Sequence, residues 1–293
     1  MPFLLYDYCN EEGKVMNNHV KLVVADIDGT LVDDQNHDMM PVTKEALHIL
    51  QNHHVYLGIA SGRSVDQAML NRIKNWGFEQ PFELLIGLNG GEIYDSIHHT
   101  KKEFYKLKKE YVKEIIEMMA PFDLNPFIYR DDIMLASRMD ADMEASSKRN
   151  SQGVIIAKDI SELYESDISK IMFRMPEELM PQAEARVASF GKKPYRAFKT
   201  QTTMLEFMDA RINKGNALEY FCDANQISLD TVISFGDMTN DNELLEKAGL
   251  GVCLVNGNEE TKHIANDITE FDNNHDGMGY YLMEHVIKKN GWK

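Results

Sequence analysis

Cysteine is scarce in this chain: three in 293 residues, Cys9, Cys222 and Cys253. The number is odd and the spacing fits neither a disulfide framework nor a zinc site, so the expectation is three reduced thiols in a cytoplasmic protein. Positive charge is also in deficit. Lys and Arg number 31 against 47 Asp and Glu, a formal net charge of −16. That balance argues against nucleic acid or an anionic membrane as the main partner. It leaves room for a small anionic substrate, provided a local site, helped by a divalent cation, opposes the global field. No stretch approaches the roughly 18 apolar residues of a membrane span. The first residues, "MPFLLYDYCNEEGKVMNNH", lack a basic leader and soon turn acidic, which makes a poor signal peptide. Residues 1–19 are read as an N-terminal extension, with Met16 shortly before the first strong strand. Internal repeats and low-complexity linkers are absent.

What is present is 43% hydrophobic and 27% charged residues, the profile of a soluble globular protein long enough for two domains. The first part alternates strand and helix. "VKLVVAD" (20–26), "VYLGIAS" (55–61) and "ELLIGLNG" (83–90) read as buried strands, separated by helical patterns over 42–54 and 64–77. That alternation predicts a parallel sheet with helices on both faces. The pattern then changes to a hairpin, "GEIYD" with "KEFYKL", and to strands in adjacent pairs mixed with helices near 140–150 and 177–190. The βα rhythm returns with a helix over 213–227, a strand over 231–237, a helix over 240–249 and a strand over 251–257. The expected architecture is α/β: a doubly wound parallel-sheet core at 20–104 and 208–293, interrupted by an α+β cap at 105–207.

One stretch demands a chemical account. "VVADIDGTLVDD" (23–34) runs a buried strand into Asp26 and Asp28, and carboxylates are costly to dehydrate without compensation. Ligands of open parallel sheets bind beyond the carboxyl ends of the strands. Other strand ends here carry Ser61-Gly62-Arg63 and Gly236-Asp237, with Asn240 and Asp241 close behind and Lys214 opening a helix. Carboxylates gathered at one rim call for a hard divalent ion. Strand alternation points Asp26 and Asp28 the same way, with Ile27 opposite. Ser61, Lys214 and the backbone amides near Gly29–Thr30 and Gly62 could hold phosphate oxygens. Plainer readings stand beside these. Asp26 and Asp28 could cap a tight turn, and Ser61 could cap a helix. Lys214 could be a solvated surface residue. Arg63 could pair with an acid of the rim or reach substrate, and Asn89 could be a turn residue or a substrate ligand. Tyr129, Arg130, Asp131 and Asp132 could read a substrate or simply form a hairpin turn. His53-His54 and His98-His99 lack a third ligand and read as surface.

"DIDGTLVDD", "ASGR", "NKG" and "GDMTND", in that order, resemble the four motifs of the haloacid-dehalogenase-like (HAD) phosphohydrolases. The long insert between the second and third motifs, together with "NGGEIYD" and "NHDGMGYYL", is similar to the Cof-like branch with its α+β cap. The resemblance spans residue 21 to about 288. It implies a Rossmann-like core and a Mg²⁺-dependent phosphatase that forms an aspartyl-phosphate. It implies Asp26 as nucleophile and Asp28 as general acid and base, with the metal held by Asp26, Asp28 (through its backbone carbonyl) and Asp237. Thr30, Ser61, Gly62, Arg63, Asn89, Lys214 and Asn240 would serve phosphate or substrate, with Asp241 in support. The implied substrate is a small phosphorylated metabolite, such as a sugar phosphate or a flavin or pyridoxal phosphate. A phosphomutase and a non-catalytic sensor of a phosphorylated ligand are the alternatives. Two departures from the pattern are Val255-Asn256-Gly257, where Gly-Asn-Ala is common, and Met238 after Asp237.

Overall fold

A computed structural model of the chain describes residues 20–130, 133–150 and 153–293. The extension expected at 1–19, with Cys9 and Met16, and the pair Asp131-Asp132 lie outside the described residues. Two compact units are present. One runs to Glu103 and resumes at Asn213; the other is Phe104–Ile212.

The first unit opens with β1 (Leu22–Ala25), α1 (Pro41–Asn52), β2 (Tyr56–Ala60), α2 (Gln67–Asn75), β3 (Leu84–Gly87), β4 (Glu92–Asp95) and β5 (Thr100–Glu103). In the second unit follow α3 (Lys109–Met119), β6 (Pro126–Arg130), β7 (Ile133–Ala136), α4 (Ala141–Asn150), β8 (Val154–Ile156), β9 (Ile171–Arg174), α5 (Met180–Ser189), β10 (Tyr195–Gln201) and β11 (Met204–Asp209). The chain returns to the first unit with α6 (Lys214–Ala224), β12 (Val232–Gly236), α7 (Asn242–Lys247), β13 (Leu250–Cys253), α8 (Glu259–Ile264), β14 (Asp267–Ile268) and α9 (Gly277–Leu282).

The sheet of the first unit has the order β14-β13-β12-β1-β2-β3-β4-β5, parallel from β14 through β3, with β4 and β5 antiparallel. Its central strands are apolar at nearly every position because both faces are covered. Val23, Ala25, Leu57, Ile59, Ile233, Phe235 and Val252 pack on one face against Ala46, Leu47 and Leu50 of α1, Ile73 of α2 and Leu282 of α9. The other face meets α7, where Ser234 Oγ donates to the Leu244 carbonyl at 3.2 Å. From β1 the chain winds outward to β2 and β3; on its return it winds the other way, from β12 to β14. The order therefore reverses between β1 and β12, and that reversal opens a crevice at their carboxyl ends.

The six-stranded sheet of the second unit has the order β10-β11-β9-β6-β7-β8, antiparallel except between β7 and β8. One face packs Ile128, Ile171, Phe173, Leu205 and Phe207 against Val112 and Ile115 of α3 and Met180 of α5. The other carries Phe127, Met134, Met172 and Met204 with Met143 of α4. It also holds a buried ion pair, Lys170 to Glu206 at 2.9 Å.

Several boundaries differ from those expected. The unit ends at Ile212 rather than 207, because β11 continues to Asp209, which pairs with Tyr195 of β10. The second helix begins at Gln67 rather than 64. Its cap is Asp66, which accepts from the Met69 amide at 2.9 Å, so Ser61 is not a helix cap. The short β8 and β14, and helices α8 and α9, are further elements that the sequence pattern did not resolve. Among the described residues, no helix is long and apolar enough to cross a membrane.

Gly90 carries φ +102, and a Cβ there would lie 2.1 Å from the Asn213 carbonyl oxygen. Gly90→Ala is expected to cost about 1–3 kcal/mol through strain and overpacking and to lower the thermal midpoint. Gly153→Ala, whose Cβ would meet nothing within 4 Å, should stay within about 0.5 kcal/mol of the parent. Equal midpoints for the two variants would contradict this packing.

Candidate active site

The site begins where β1 stops. The strand ends at Ala25, yet the Asp26 amide still donates to the Phe235 carbonyl at 3.0 Å, so Asp26 closes the ladder with β12. The backbone then turns. Leu31 and Val32 both donate to the Ile27 carbonyl, at 3.0 and 3.1 Å. Gly29 takes φ +82, and a Cβ on it would lie 2.5 Å from Oδ2 of Asp237. Only glycine lets the turn come this close to the end of β12. Thr30 follows, and its hydroxyl donates to Asp237 Oδ1 at 2.8 Å. The expected alternation holds through Ile27, which joins Val23 and Ala25 in the core and leaves Asp26 and Asp28 on the other side. The two carboxylates differ in burial: Asp26 is 8% exposed, whereas the Asp28 side chain is 46% exposed.

Lys214 enters from α6. Asn213 caps that helix, its side chain accepting from the Asn216 amide at 2.7 Å. Gly215 permits close approach of α7, since a Cβ would sit 2.2 Å from the Glu243 carbonyl oxygen. The Lys214 side chain is fully buried, and its Nζ donates to Asp26 Oδ1 and Asp241 Oδ1, each at 2.5 Å. Asp241 Oδ2 accepts from the Asp237 and Met238 amides at 3.0 and 3.1 Å. Burial alone would lower the lysine pKa, but Asp241 and Asp26 outweigh it and leave the ammonium firmly charged. Asp26 is pushed up to about 7, chiefly by burial, against the pull of Lys214. Asp237 is raised well above the usual carboxylate range by burial, then by Asp241 and Asp26.

One ammonium cannot neutralise three buried carboxylates. One oxygen each from Asp26, Asp237 and Asp241 lie within 4.8 Å of one another. This donor set is all hard oxygen, which fits a magnesium ion. Asp241 is the least available of the three, since both its oxygens already accept hydrogen bonds. Asp26 and Asp237 are the carboxylates left to a cation. The Asp28 carboxylate is not in this group.

Asp28 pairs instead with Arg63, which donates through Nε at 3.2 Å and through its terminal nitrogen at 2.9 Å to both oxygens. Of the two readings open for Arg63, the structure displays the pair with a rim acid. Ser61 is buried, and its hydroxyl accepts from the Arg63 amide at 3.1 Å. Gly62 lies against Asn89, whose Oδ1 a Cβ would meet at 3.3 Å. Asn89 is fully buried in the left-handed region at φ +53 and accepts from the Asn240 side chain at 3.1 Å. It is a turn residue that also ties the ends of β3 and β12 together. In the second unit, Lys170 Nζ lies over the Tyr129 ring, 5.8 Å from its centroid, and Arg130 donates to the Glu162 carbonyl. His98 pairs with Asp95, and His53 stacks on Trp292.

Sequence reasoning missed the asparagines that brace the turn after Asp26. Asn256 donates to the Gly29 carbonyl at 2.8 Å and accepts from the Asn273 amide at 3.2 Å. Asn273 in turn donates to the Val32 carbonyl at 3.0 Å. Asn256 lies in "VNG" and Asn273 just ahead of "NHDGMG", but the turn they brace is more than 220 residues away. The departure at Val255-Asn256-Gly257 leaves this brace intact.

With that geometry in place, comparisons with known proteins are informative. Residues 23–282 match the haloacid dehalogenase-like hydrolase family. The 5-amino-6-(5-phospho-D-ribitylamino)uracil phosphatase of Bacillus subtilis is 24% identical over 279 residues, covering 90% of this chain and 97% of that protein. A crystal structure of a Thermotoga maritima protein is 25% identical with a TM-score of 0.72, covering 90% of this chain and 96% of that one. A subclass IIB sugar phosphatase is 18% identical with a TM-score of 0.75, covering 92% and 99%, and shares the fold.

A cation that relieves the repulsion between Asp26 and Asp237 binds the folded state alone and stabilises it, by about 2.7 kcal/mol at a hundredfold excess over Kd. Saturating Mg²⁺ is therefore expected to raise the thermal midpoint of the wild type relative to EDTA. The rise should vanish in Asp237→Asn, and a full rise in that variant would place the cation elsewhere.

Proposed function

The chain belongs to the haloacid dehalogenase-like hydrolases and is a phosphatase, and from that premise we propose a magnesium-dependent phosphomonoesterase in which Asp26 carries the phosphoryl group from substrate to water. The observation that carries this reading is the buried Asp26 carboxylate at the switch point of the sheet, tied to Lys214 and beside Asp237.

In the first step an Asp26 oxygen bonds to phosphorus while the bond from phosphorus to the ester oxygen breaks, and Asp28 gives the leaving oxygen its proton. In the second, water attacks the aspartyl-phosphate, Asp28 takes its proton, and the Asp26–phosphorus bond breaks to release orthophosphate. Arg63 fixes the position of the Asp28 carboxyl group between these events. Lys214, its ammonium favoured by Asp241 and Asp26, and Ser61, with the amides near Gly29–Thr30 and Gly62, hold the phosphoryl oxygens as charge spreads over them. Asn240 and Asn89 keep the two strand ends in register, and Asp241 holds Lys214. Magnesium, held by Asp26, Asp237 and the Asp28 backbone carbonyl, would offset the negative charge of phosphoryl group and carboxylates together.

The substrate is a small phosphorylated metabolite, a sugar phosphate or a cofactor phosphate of the flavin or pyridoxal type. The Bacillus subtilis relative, named for a ribityl phosphate, supports that class. A cytoplasmic location fits the buried free thiols Cys222 and Cys253.

Phosphate release from a panel of such compounds, with Mg²⁺ and with EDTA, tests the reading. Activity should require the metal. Asp26→Asn should lose at least about 10³-fold in kcat, and Asp28→Asn about 10²–10⁴-fold, the usual contribution of an acid–base group. Undiminished turnover in Asp26→Asn would remove the mechanism.

A further inference from the structure

The segment Ser61–Val65 carries both Ser61 and Arg63, yet it has no regular secondary structure and sits between β2 and α2. Its backbone is nonetheless held at Ser61, Arg63 and Val65. The Ser61 amide donates to the Ile86 carbonyl at 2.8 Å and its carbonyl accepts from Asn89 at 2.9 Å. The Arg63 carbonyl accepts from Leu88 at 2.8 Å. Leu88 and Asn89 lie on a turn just after β3 with positive φ at Leu88, Asn89 and Gly90. For leucine that conformation is strained, of order 1–3 kcal/mol, and persists only where its surroundings over-determine it.

The far end of the segment is held by a carboxylate. Glu92, on β4, is 2% exposed. It accepts from the Ser64 hydroxyl at 2.8 Å, from the Val65 amide, and from Lys101 Nζ of β5 at 2.8 Å. Lys101 Nζ also donates to the Val65 carbonyl at 2.9 Å. Both backbone groups of Val65 are thus gripped by a single ion pair. Gly87 makes room for it, since a Cβ there would lie 2.8 Å from Glu92 Oε1 and 2.9 Å from the Arg63 carbonyl oxygen. A buried carboxylate is expensive, and this one spends two of its three hydrogen bonds on the segment beside Arg63. A hairpin needing only its own stability has no use for that arrangement.

We infer that Glu92, with Lys101, is a positioning residue. The pair clamps Ser61–Val65 so that the Arg63 guanidinium meets Asp28 in one fixed place. The inference rests on the phosphatase reading, with Asp28 as its acid and base. The antiparallel hairpin β4–β5 thereby gains a purpose beyond extending the sheet: it delivers the clamp.

The test is a double-mutant cycle read with p-nitrophenyl phosphate and Mg²⁺, together with amide hydrogen exchange over residues 61–66. Glu92→Gln should lower kcat/KM by about 10- to 100-fold, the scale expected when a reacting group is misplaced by about an ångström. In an Arg63→Ala background the same change should cost under about threefold, because groups acting through one another are not additive. Exchange over 61–66 should quicken in Glu92→Gln. Asp95→Asn is the control. Asp95 is a second buried carboxylate of β4, which caps the turn at Ile97 and His98 and holds Asn225. It should lose comparable stability with activity and 61–66 exchange unchanged. Additive losses in the cycle, equal losses in Asp95→Asn, or unchanged exchange in Glu92→Gln would each overturn the clamp. A wild type without metal-dependent hydrolysis would overturn the phosphatase reading instead, and the exchange result would still judge the clamp.

Discussion

A fully buried ammonium organises this protein. Lys214 is fully buried and is held between Asp26 and Asp241 at 2.5 Å from each. Dehydrating an ion costs several kcal/mol even after relaxation, so the fold is committed to bringing two carboxylates to that nitrogen. They come from opposite sides of the switch point, one from the end of β1 and one from the turn after β12. Asp241 then reaches back to the Asp237 and Met238 amides. The lysine thus fixes how the ends of β1, β12 and α6 meet.

That meeting is tight enough to specify glycines. Gly29 passes Asp237, Gly90 passes the Asn213 carbonyl and Gly215 passes the Glu243 carbonyl, each where a Cβ would overlap. Close backbone approach leaves little water around the carboxylates, and the same dehydration lifts Asp26 and Asp237 above their ordinary pKa values. The packing that stabilises the core is therefore also what leaves negative charge in need of a cation. Stability and chemistry are here two consequences of one geometry.

The surrounding loops are held by long-range polar contacts rather than by regular structure. Asn256 and Asn273 brace the turn after Asp26, and Glu92 with Lys101 grips the segment that carries Arg63. Asp276 caps α1 from the C-terminal region, accepting from the Thr43 amide at 2.8 Å. Loops positioned by a rigid scaffold commonly carry function, and in this chain the scaffold's own polar side chains supply the rigidity.

The βα rhythm, the interruption by a second unit and the identity of the acidic strand ends are legible in the amino-acid order. Each is a local signal: an apolar run of strand length, a helical period, or a motif such as "DIDGT" or "NKG". Such motifs single out Asp26, Lys214, Asp237 and Asp241. What those residues touch is set by the folded sheet. Alternation along a strand sets Asp26 and Asp28 apart from Ile27, but it does not tell that one is buried against Lys214 while the other is exposed beside Arg63. That Thr30 bonds to Asp237 and Asn89 to Asn240 follows from the meeting of strand ends and not from either motif. Glu92 looked like any strand residue, because its partners, 27 and 28 positions away, are set by sheet order and not by spacing. Periodicity registers burial and neighbours along one element. Which carboxylate meets which donor depends on how strand ends from distant parts of the chain converge, and only the folded sheet sets that.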